Sequence, residues 1–365
     1  MLFLSNYKKE INFIIKYSRY NENVDNIDFN NFNWNFIIKA CKIHRLFGLI
    51  LKNIQNNKNI SEEIRLLFNK EYEYIFKLNS LQFKYAYDIC SEFEKRDIPY
   101  LVLKGLPISR LIYEDNGIRP CSDVDFYVSK KDIPRIKKML GKKGFIQGYY
   151  DKNKGEIVKA TRYSILNSEL NTHELVAFVK IVEDNLPIYI DINFEFSWRG
   201  AKSFSPPKVK FENVFKNKQN IKVEDNMMLN LMNNEYFLLH LCFHGYNEAV
   251  FFTYNNADST KDLLLFRFCD IRNFINITEV NWFAFLKLVN KTEAKEQVWY
   301  IFRILNMLWP SKAQEDVLSS LGDFDDSILH KYYKSNGESG LWTIGIIERL
   351  FYFDKKKKLL KKMNL

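Results

Sequence analysis

The sequence predicts an α+β fold: a small mixed β-sheet core over 98–225, flanked by an N-terminal helical region, 1–97, and a C-terminal helical region, 226–365, that ends in a basic tail. Three observations predict it. Apolar residues recur at three- and four-residue spacing from the N-terminus to about Arg96. From Asp97 the period changes to two in short β-rich runs that alternate with a helical one. Helical spacing returns from about Asn226. That succession suits a small mixed sheet with helices on one side.

In the first region INFIIKYSRY, WNFIIKACKIHRLFGLILKNI and ISEEIRLLFNKEYEYIFKLNSLQFKYAYDICSEFEKR each read as a helix, with NENVDNIDFNNFN as a polar linker between the first two. The Phe/Tyr/Leu stripe of the third is expected to pack on the sheet. IPYLVLK is the first strand, Pro107 fits the first turn of a helix through ISRLIYE, and SDVDFYV is the second strand. Ser129 and Asp132 resemble a capping box opening KDIPRIKKMLGKKG, which stops at Gly144. FIQGYY, EIVKATRYSILN, THELVAFVKIV and LPIYIDINFEF form a β-like region bounded by Asn, Gly and Pro. MMLNLMNNEYFLLHLCFHGYN, STKDLLLFRFCDIRNFI and VNWFAFLKLVNKTEAKEQVWYIFRILNMLW then read as helices, and a last one ends near Tyr352.

With 365 residues, 47% of them hydrophobic, the chain has ample material for a core and is not disordered. No uninterrupted apolar run approaches the roughly 18 residues of a membrane span. The N-terminus MLFLSNYKKEINF lacks the pattern of a signal peptide. Cys41, Cys90, Cys121, Cys242 and Cys269 show no zinc-like spacing, and buried free thiols in a reducing cytoplasm are the simplest account. The net charge is +10, and Lys355 to Lys358 with Lys361 and Lys362 supply much of it, reading as a frayed, solubilising tail. A positive field would draw in a polyanion, but nucleic-acid binding does not follow from it.

The chemistry lies between Leu101 and Val128, LVLKGLPISRLIYEDNGIRPCSDVDFYV. Asp123 and Asp125, two apart on a strand, share one face, with Cα atoms about 6–7 Å apart. Paired acids on an apolar strand repel each other unless a cation sits between them, and a divalent ion held by hard oxygens is the usual solution. Gly105, closing the preceding strand, lets a polyphosphate approach the backbone. Taken alone, the acids could line an ordinary half-solvated edge strand; the ordered combination of strand, glycine, helix, loop and Asp-Val-Asp points to a metal-dependent nucleotide site.

Leu103-Lys104-Gly105, Leu111-Ile112-Tyr113, Arg119 and Asp123-Val124-Asp125 sit where the bacterial "uncharacterised nucleotidyltransferase" family of the DNA polymerase β-type nucleotidyltransferase superfamily has its Leu-Lys-Gly strand, Leu-Tyr segment, Arg and Asp-hydrophobic-Asp. The sequence resembles that family. The resemblance implies a nucleotidyltransferase core, a nucleoside triphosphate as substrate and Mg²⁺ (or Mn²⁺) as cofactor. Asp123 and Asp125 would be metal ligands and catalytic; Lys104, Gly105, Ser109 and Arg119 are the candidates for nucleotide binding. A two-metal site needs a third carboxylate. Asp191 in PIYIDINFEF is the best candidate, since Ile188, Ile190 and Ile192 point one way and Tyr189, Asp191, Asn193 and Glu195 the other; an acid facing the surface is the competing reading.

Two departures stand out. The family follows the Asp of this last strand with His two residues on, where this chain has Asn193, and the wider superfamily has Gly-Gly or Gly-Ser where this chain has Gly105-Leu106-Pro107. Lys104 could supply part of the missing phosphate grip. Arg119 either contacts phosphate or orders the loop by a salt bridge, Asp115 being one partner. His240 and His244, four apart, lack a third zinc ligand; a buried histidine paired with Asp270 or a cleft-facing pair are the alternatives. The leading expectation is NMP transfer from an NTP to an acceptor oxygen of a small molecule, a peptide or protein, or an RNA end. The rivals are a non-catalytic nucleotide-binding or regulatory module on the same fold, and nucleic-acid binding through the tail.

Overall fold

β-Branched and aromatic residues at alternate positions build the sheet, and their alternation decides which face is covered. The computed structural model describes residues 5–21, 29, 31–197, 209–224, 227–251, 257, 261–334 and 337–362. The chain divides into two compact units, Tyr74–Arg199 with Pro206–Phe237, and Met1–Glu73 with Gly200–Ser205 and Leu238–Leu365. The fold is α+β, as expected.

The first of these units holds a six-stranded mixed sheet. Its strands are β1 (Tyr100–Leu103), β2 (Val124–Val128), β3 (Ile146–Asp151), β4 (Glu156–Lys159), β5 (Phe178–Ile181) and β6 (Pro187–Asn193), in the order β1-β2-β6-β5-β3-β4. The β2–β6 pair is parallel and the other neighbours are antiparallel. Val124, Phe126 and Val128 of β2 and Ile188, Ile190 and Ile192 of β6 point into one core. Phe83, Ala86, Ile89, Cys90 and Phe93 of the long helix Glu62–Glu94 cover that face, together with Ile133, Ile136, Met139 and Leu140 of helix Ile133–Lys142. A buried Ile or Phe contributes about 1.5–3 kcal/mol. Register on this face is therefore strongly specified.

The expected boundaries need several corrections. EIVKATRYSILN is not one strand: β4 stops at Lys159, Thr161 accepts a hydrogen bond from the Ser164 amide at 3.1 Å, and a helix runs from Arg162 to Asn171. The Thr cap overrides a short apolar pattern that strand and helix can both satisfy. MMLNLM is a strand, Met227–Met232, paired with Lys218–Glu224 as a hairpin; Asn233 then caps the Tyr236 amide and starts helix Asn234–Val250. Ser129 makes no side-chain cap; a 3₁₀ turn, Lys130–Asp132, precedes helix Ile133–Lys142, and Asp132 accepts from Arg135 at 2.9 Å instead. Gly144, at φ +83°, follows that helix as expected.

In the other unit, WNFIIKACKIHRLFGLILKNI splits at Arg45, whose φ of +57° breaks it into helices Trp34–His44 and Phe47–Ile54. Residues 22–28 and 30 of the polar linker lie outside the described residues. All five cysteines are free and buried. No helix among the described residues is long and apolar enough to cross a membrane.

The basic tail is not frayed over its described part, 354–362. Asp262 accepts from Arg349 Nε at 2.8 Å and from Lys356 Nζ at 2.9 Å, and all three side chains are fully buried. The Arg349 guanidinium lies over the Trp342 ring, 4.2 Å from its centre. Leu360–Lys362 pairs with Ser339–Trp342, and Leu359 and Leu360 pack against Tyr332 and Trp342. The lysine run hid this because a charge run gives no sign that one member has a buried partner. Burial pushes the Lys356 amine below its usual pKa, against the pull of Asp262. Lys356→Met is expected to lower the unfolding free energy by about 2 kcal/mol in urea titrations; an unchanged midpoint would show that the pair adds nothing.

Candidate active site

Beyond Leu103 the backbone turns sharply. Lys104 adopts φ 50°, ψ −109°, a left-handed conformation that costs a non-glycine residue about 1–3 kcal/mol. The turn sends its ammonium across to β2, where Nζ lies 2.9 Å from Asp125 Oδ1. Gly105 opens the short helix Gly105–Ile108, which runs into a π-helical turn, Ser109–Tyr113. Leu106 joins the apolar core, so the position held by Gly or Ser in the wider superfamily serves packing here. A methyl at Gly105 would come within 2.7 Å of Arg119 Nη1 and 3.2 Å of Cys121 Sγ. Gly105→Ala is expected to displace the Arg119 side chain and to cost about 1–3 kcal/mol; unchanged stability and activity would show that the guanidinium moves aside freely.

The loop carrying Arg119 is pinned from the long helix. Buried Asn79 donates to the carbonyls of Asn116 at 2.6 Å and Arg119 at 2.7 Å and accepts from the Cys121 amide at 3.0 Å; Gln82 donates to the Cys121 carbonyl at 3.1 Å. These two amides interrupt the apolar stripe, and the sequence reading passed over them. Arg119 is buried, with Nη1 3.4 Å from both the Pro120 carbonyl and Cys121 Sγ. Ser109 is also buried, its hydroxyl 3.5 Å from the Asp115 carbonyl, while the Asp115 carboxylate accepts from the Gly117 amide at 2.8 Å.

The acids meet on the face of the sheet opposite the core. In the parallel pair Asp125 stands beside Asp191 and Tyr127 beside Asn193. Asp123 precedes β2 by one residue, half-buried, and accepts from the Ser122 hydroxyl at 3.0 Å. Asp125 is almost wholly buried, and Asn193 Nδ2 lies 3.4 Å from its Oδ1. The asparagine at the family's histidine position thus donates to an acid of the site.

Two residues the sequence reading missed join them. Glu174 and His173 lie in the irregular stretch before β5, and Glu174 forms a bridge with Asn193. Their only sequence signal is a polar His-Glu pair ahead of an apolar run. Burial holds the Asp191 carboxyl well above the usual carboxylate range; the charges of Asp123, Asp125 and Glu174 push it further and Lys104 opposes them. Burial also raises the Glu174 carboxyl, with Lys104 opposing it and Asp125 and Asp123 adding to it. Burial alone would lower the Lys104 amine, but Asp125, Asp123 and Glu174 carry it above the ordinary lysine range. Burial and the Lys104 charge depress the His173 imidazole to about 4, so the ring is neutral at pH 7. Four carboxyl groups thus act on one ammonium, with Asp125 Oδ1 2.9 Å from it.

The two helical histidines lie in the other unit. His240 is buried, and His244 Nε2 is 3.5 Å from Glu248, which also accepts from Arg267 Nε at 2.6 Å. Asp270 is buried. Among the described residues no group of three or more His, Cys, Asp or Glu side chains is gathered closely enough to hold a metal ion as placed.

The sheet thus carries helices on its apolar face and acids on the other. A family profile described as "Uncharacterised nucleotidyltransferase" matches residues 30–310, well over half of the chain, and the protein belongs to that family. Placement in the DNA polymerase β-type superfamily is consistent with the match. No curated protein matches the chain. Family membership supports nucleotidyl transfer in general and implies a nucleoside triphosphate as substrate.

Proposed function

We propose that the protein moves an NMP group from an NTP to an acceptor oxygen, with release of pyrophosphate and dependence on Mg²⁺ or Mn²⁺. The observation that carries this reading is the register of β2 and β6, which sets Asp125 beside Asp191, with Asp123 two residues before Asp125 and the Lys104 ammonium opposite.

The donor set suits a hard divalent cation in kind: three aspartates, surplus negative charge and no soft ligand. It is not gathered into a cage as it stands, and binding would require side-chain rotation. Asp123, Asp125 and Asp191 would hold the ion, which would neutralise triphosphate charge and lower the pKa of the attacking hydroxyl. The residues of the chain do the rest. Lys104 and Arg119 supply positive charge toward the phosphates, and Gly105, lacking a side chain, leaves the Arg119 guanidinium room beside the turn. An acceptor oxygen attacks the α-phosphorus, the bond to the bridging oxygen breaks, and pyrophosphate leaves. Asp191, on the acceptor side, would take the acceptor's proton.

One observation favours the non-catalytic alternative. Lys104 already occupies Asp125 Oδ1, so an internal ammonium can quiet these acids without a metal. Both readings face the same experiment: the purified chain incubated with Mg²⁺ and each labelled NTP, with and without cell extract, followed by product labelling and pyrophosphate release. Transfer of label with stoichiometric pyrophosphate, lost in EDTA, is expected. NTP binding that is equal in EDTA, without pyrophosphate from any NTP, would overturn the enzymatic reading.

A further inference from the structure

We propose that the sheet-bearing unit holds a second ligand site, for a neutral sugar, on the side of the sheet away from the acids. A cavity of about 510 Å³ opens between the long helix Glu62–Glu94 and the segment that joins β1 to β2. Small-molecule sites run from roughly 300 to 1,000 Å³. The described lining residues all belong to this one unit, and two of them, Phe83 and Tyr87, are part of the core on the sheet's apolar face.

Asn116, which lines the cavity, marks the site. It is buried, and its Nδ2 donates to Ser80 Oγ at 3.0 Å, which turns Oδ1 the other way. Among the described residues that Oδ1 has no hydrogen-bond partner. A buried acceptor left without a donor destabilises the fold, and a bound hydroxyl would satisfy it. The amide is fixed from behind as well, because the Asn116 carbonyl accepts from Asn79 Nδ2 at 2.6 Å.

The rest of the lining selects an uncharged, hydroxyl-rich ligand. Lys84 and Asp88 both line the cavity, but each charge is already offset: Lys84 Nζ lies 2.7 Å from Glu183 and Asp88 lies 2.7 Å from Lys143 Nζ. A ligand charge therefore gains little there. What remains is hydrogen bonding of both kinds. Asn116 Oδ1 and the Asp88 carboxylate accept, the Lys84 ammonium donates, and the Ser80 and Ser91 hydroxyls can do either. A hydroxyl is the group that both donates and accepts, and a sugar presents several at fixed angles. The Arg110 guanidinium lies over the Phe83 ring, 4.4 Å from its centre, so a planar base is blocked from stacking on that face. This site shares no residue with the acids on β2 and β6.

The test is a saturation-transfer NMR titration of the full chain with D-glucose and maltose and, separately, with glucose 6-phosphate. At least one of the neutral sugars is expected to bind, and more tightly than the phosphate ester. Asn116→Ala is expected to weaken that binding about fivefold or more. Ser91→Phe, which fills the cavity from the helix, is expected to abolish it and keeps the test valid if Asn116→Ala perturbs the loop. Asp125→Asn should leave the binding unchanged, which separates this site from the proposed active site. No binding of either sugar, equal affinity in folded Asn116→Ala and Ser91→Phe, tighter binding of the ester, or loss of binding in Asp125→Asn would each overturn the proposal.

Discussion

Asp191→Asn is expected to reduce turnover by about a thousandfold while leaving the metal-free protein at least as stable as the parent. The two effects have one cause. Asp191 is half-buried among like charges, so ionising it opposes folding, and the amide keeps its shape without its charge. A carboxyl whose pKa is higher in the folded than in the unfolded state contributes stability that is complete below the unfolded value and is lost as pH rises through the folded one. In EDTA the parent should therefore lose stability relative to the variant as pH rises from about 4, and the difference in Tm should widen toward neutrality. NTP binding should weaken less than in Asp123→Asn or Asp125→Asn, because Asp191 is assigned to the acceptor side. Normal activity in Asp191→Asn would sink this assignment. Glu174, whose charge already acts on Asp191, would then be tested before Glu195.

Lys104→Met should show the largest loss of stability in the site. The ammonium is 15% exposed and its partner Asp125 only 3%, so the pair is largely shielded from water. Removing one partner of a buried pair leaves an unpaired charge and costs about 3 kcal/mol or more. Here the loss should be aggravated by Asp123, Asp191 and Glu174, all of which the ammonium offsets. Mg²⁺ should restore more stability to Lys104→Met than it adds to the parent if the acids take up a divalent ion. Thermal unfolding with and without Mg²⁺ measures both effects. A variant as stable as the parent in EDTA would mean that water compensates the acids, and equal Mg²⁺ responses would count against the metal.

The sequence made the centre of the sheet readable because β2 and β6 are regular strands. Alternation alone assigns Val124 and Phe126, or Ile190 and Ile192, to the core, and therefore Asp125 and Asp191 to the other face. What it could not provide was partnership. That Asp191 pairs with Asp125 depends on which strands become neighbours, and that Glu174 and His173 approach them depends on an irregular segment without a period. Thr161 and Asn233 show a different loss: single capping side chains reset boundaries that apolar spacing placed elsewhere. Lys356 shows a third. Its burial rests on Asp262, far away in sequence, and within the run KKKK nothing distinguishes it from its neighbours.

The parallel pairing of β2 and β6 also dictates where this chain can change length. The connection between them carries helix Ile133–Lys142, β3, β4, helix Arg162–Asn171 and β5, so its surface turns can grow or shrink without touching the acids of β2 and β6. The turn at 152–155 is one such place. Inside β6 there is no such latitude. One residue added between Pro187 and Asp191 would carry the carboxyl into the apolar interior and bring an isoleucine out to face Lys104. Natural relatives of this protein should therefore vary in length across the crossover and keep the spacing within β6 fixed, a pattern that sequence comparison could detect without reference to activity.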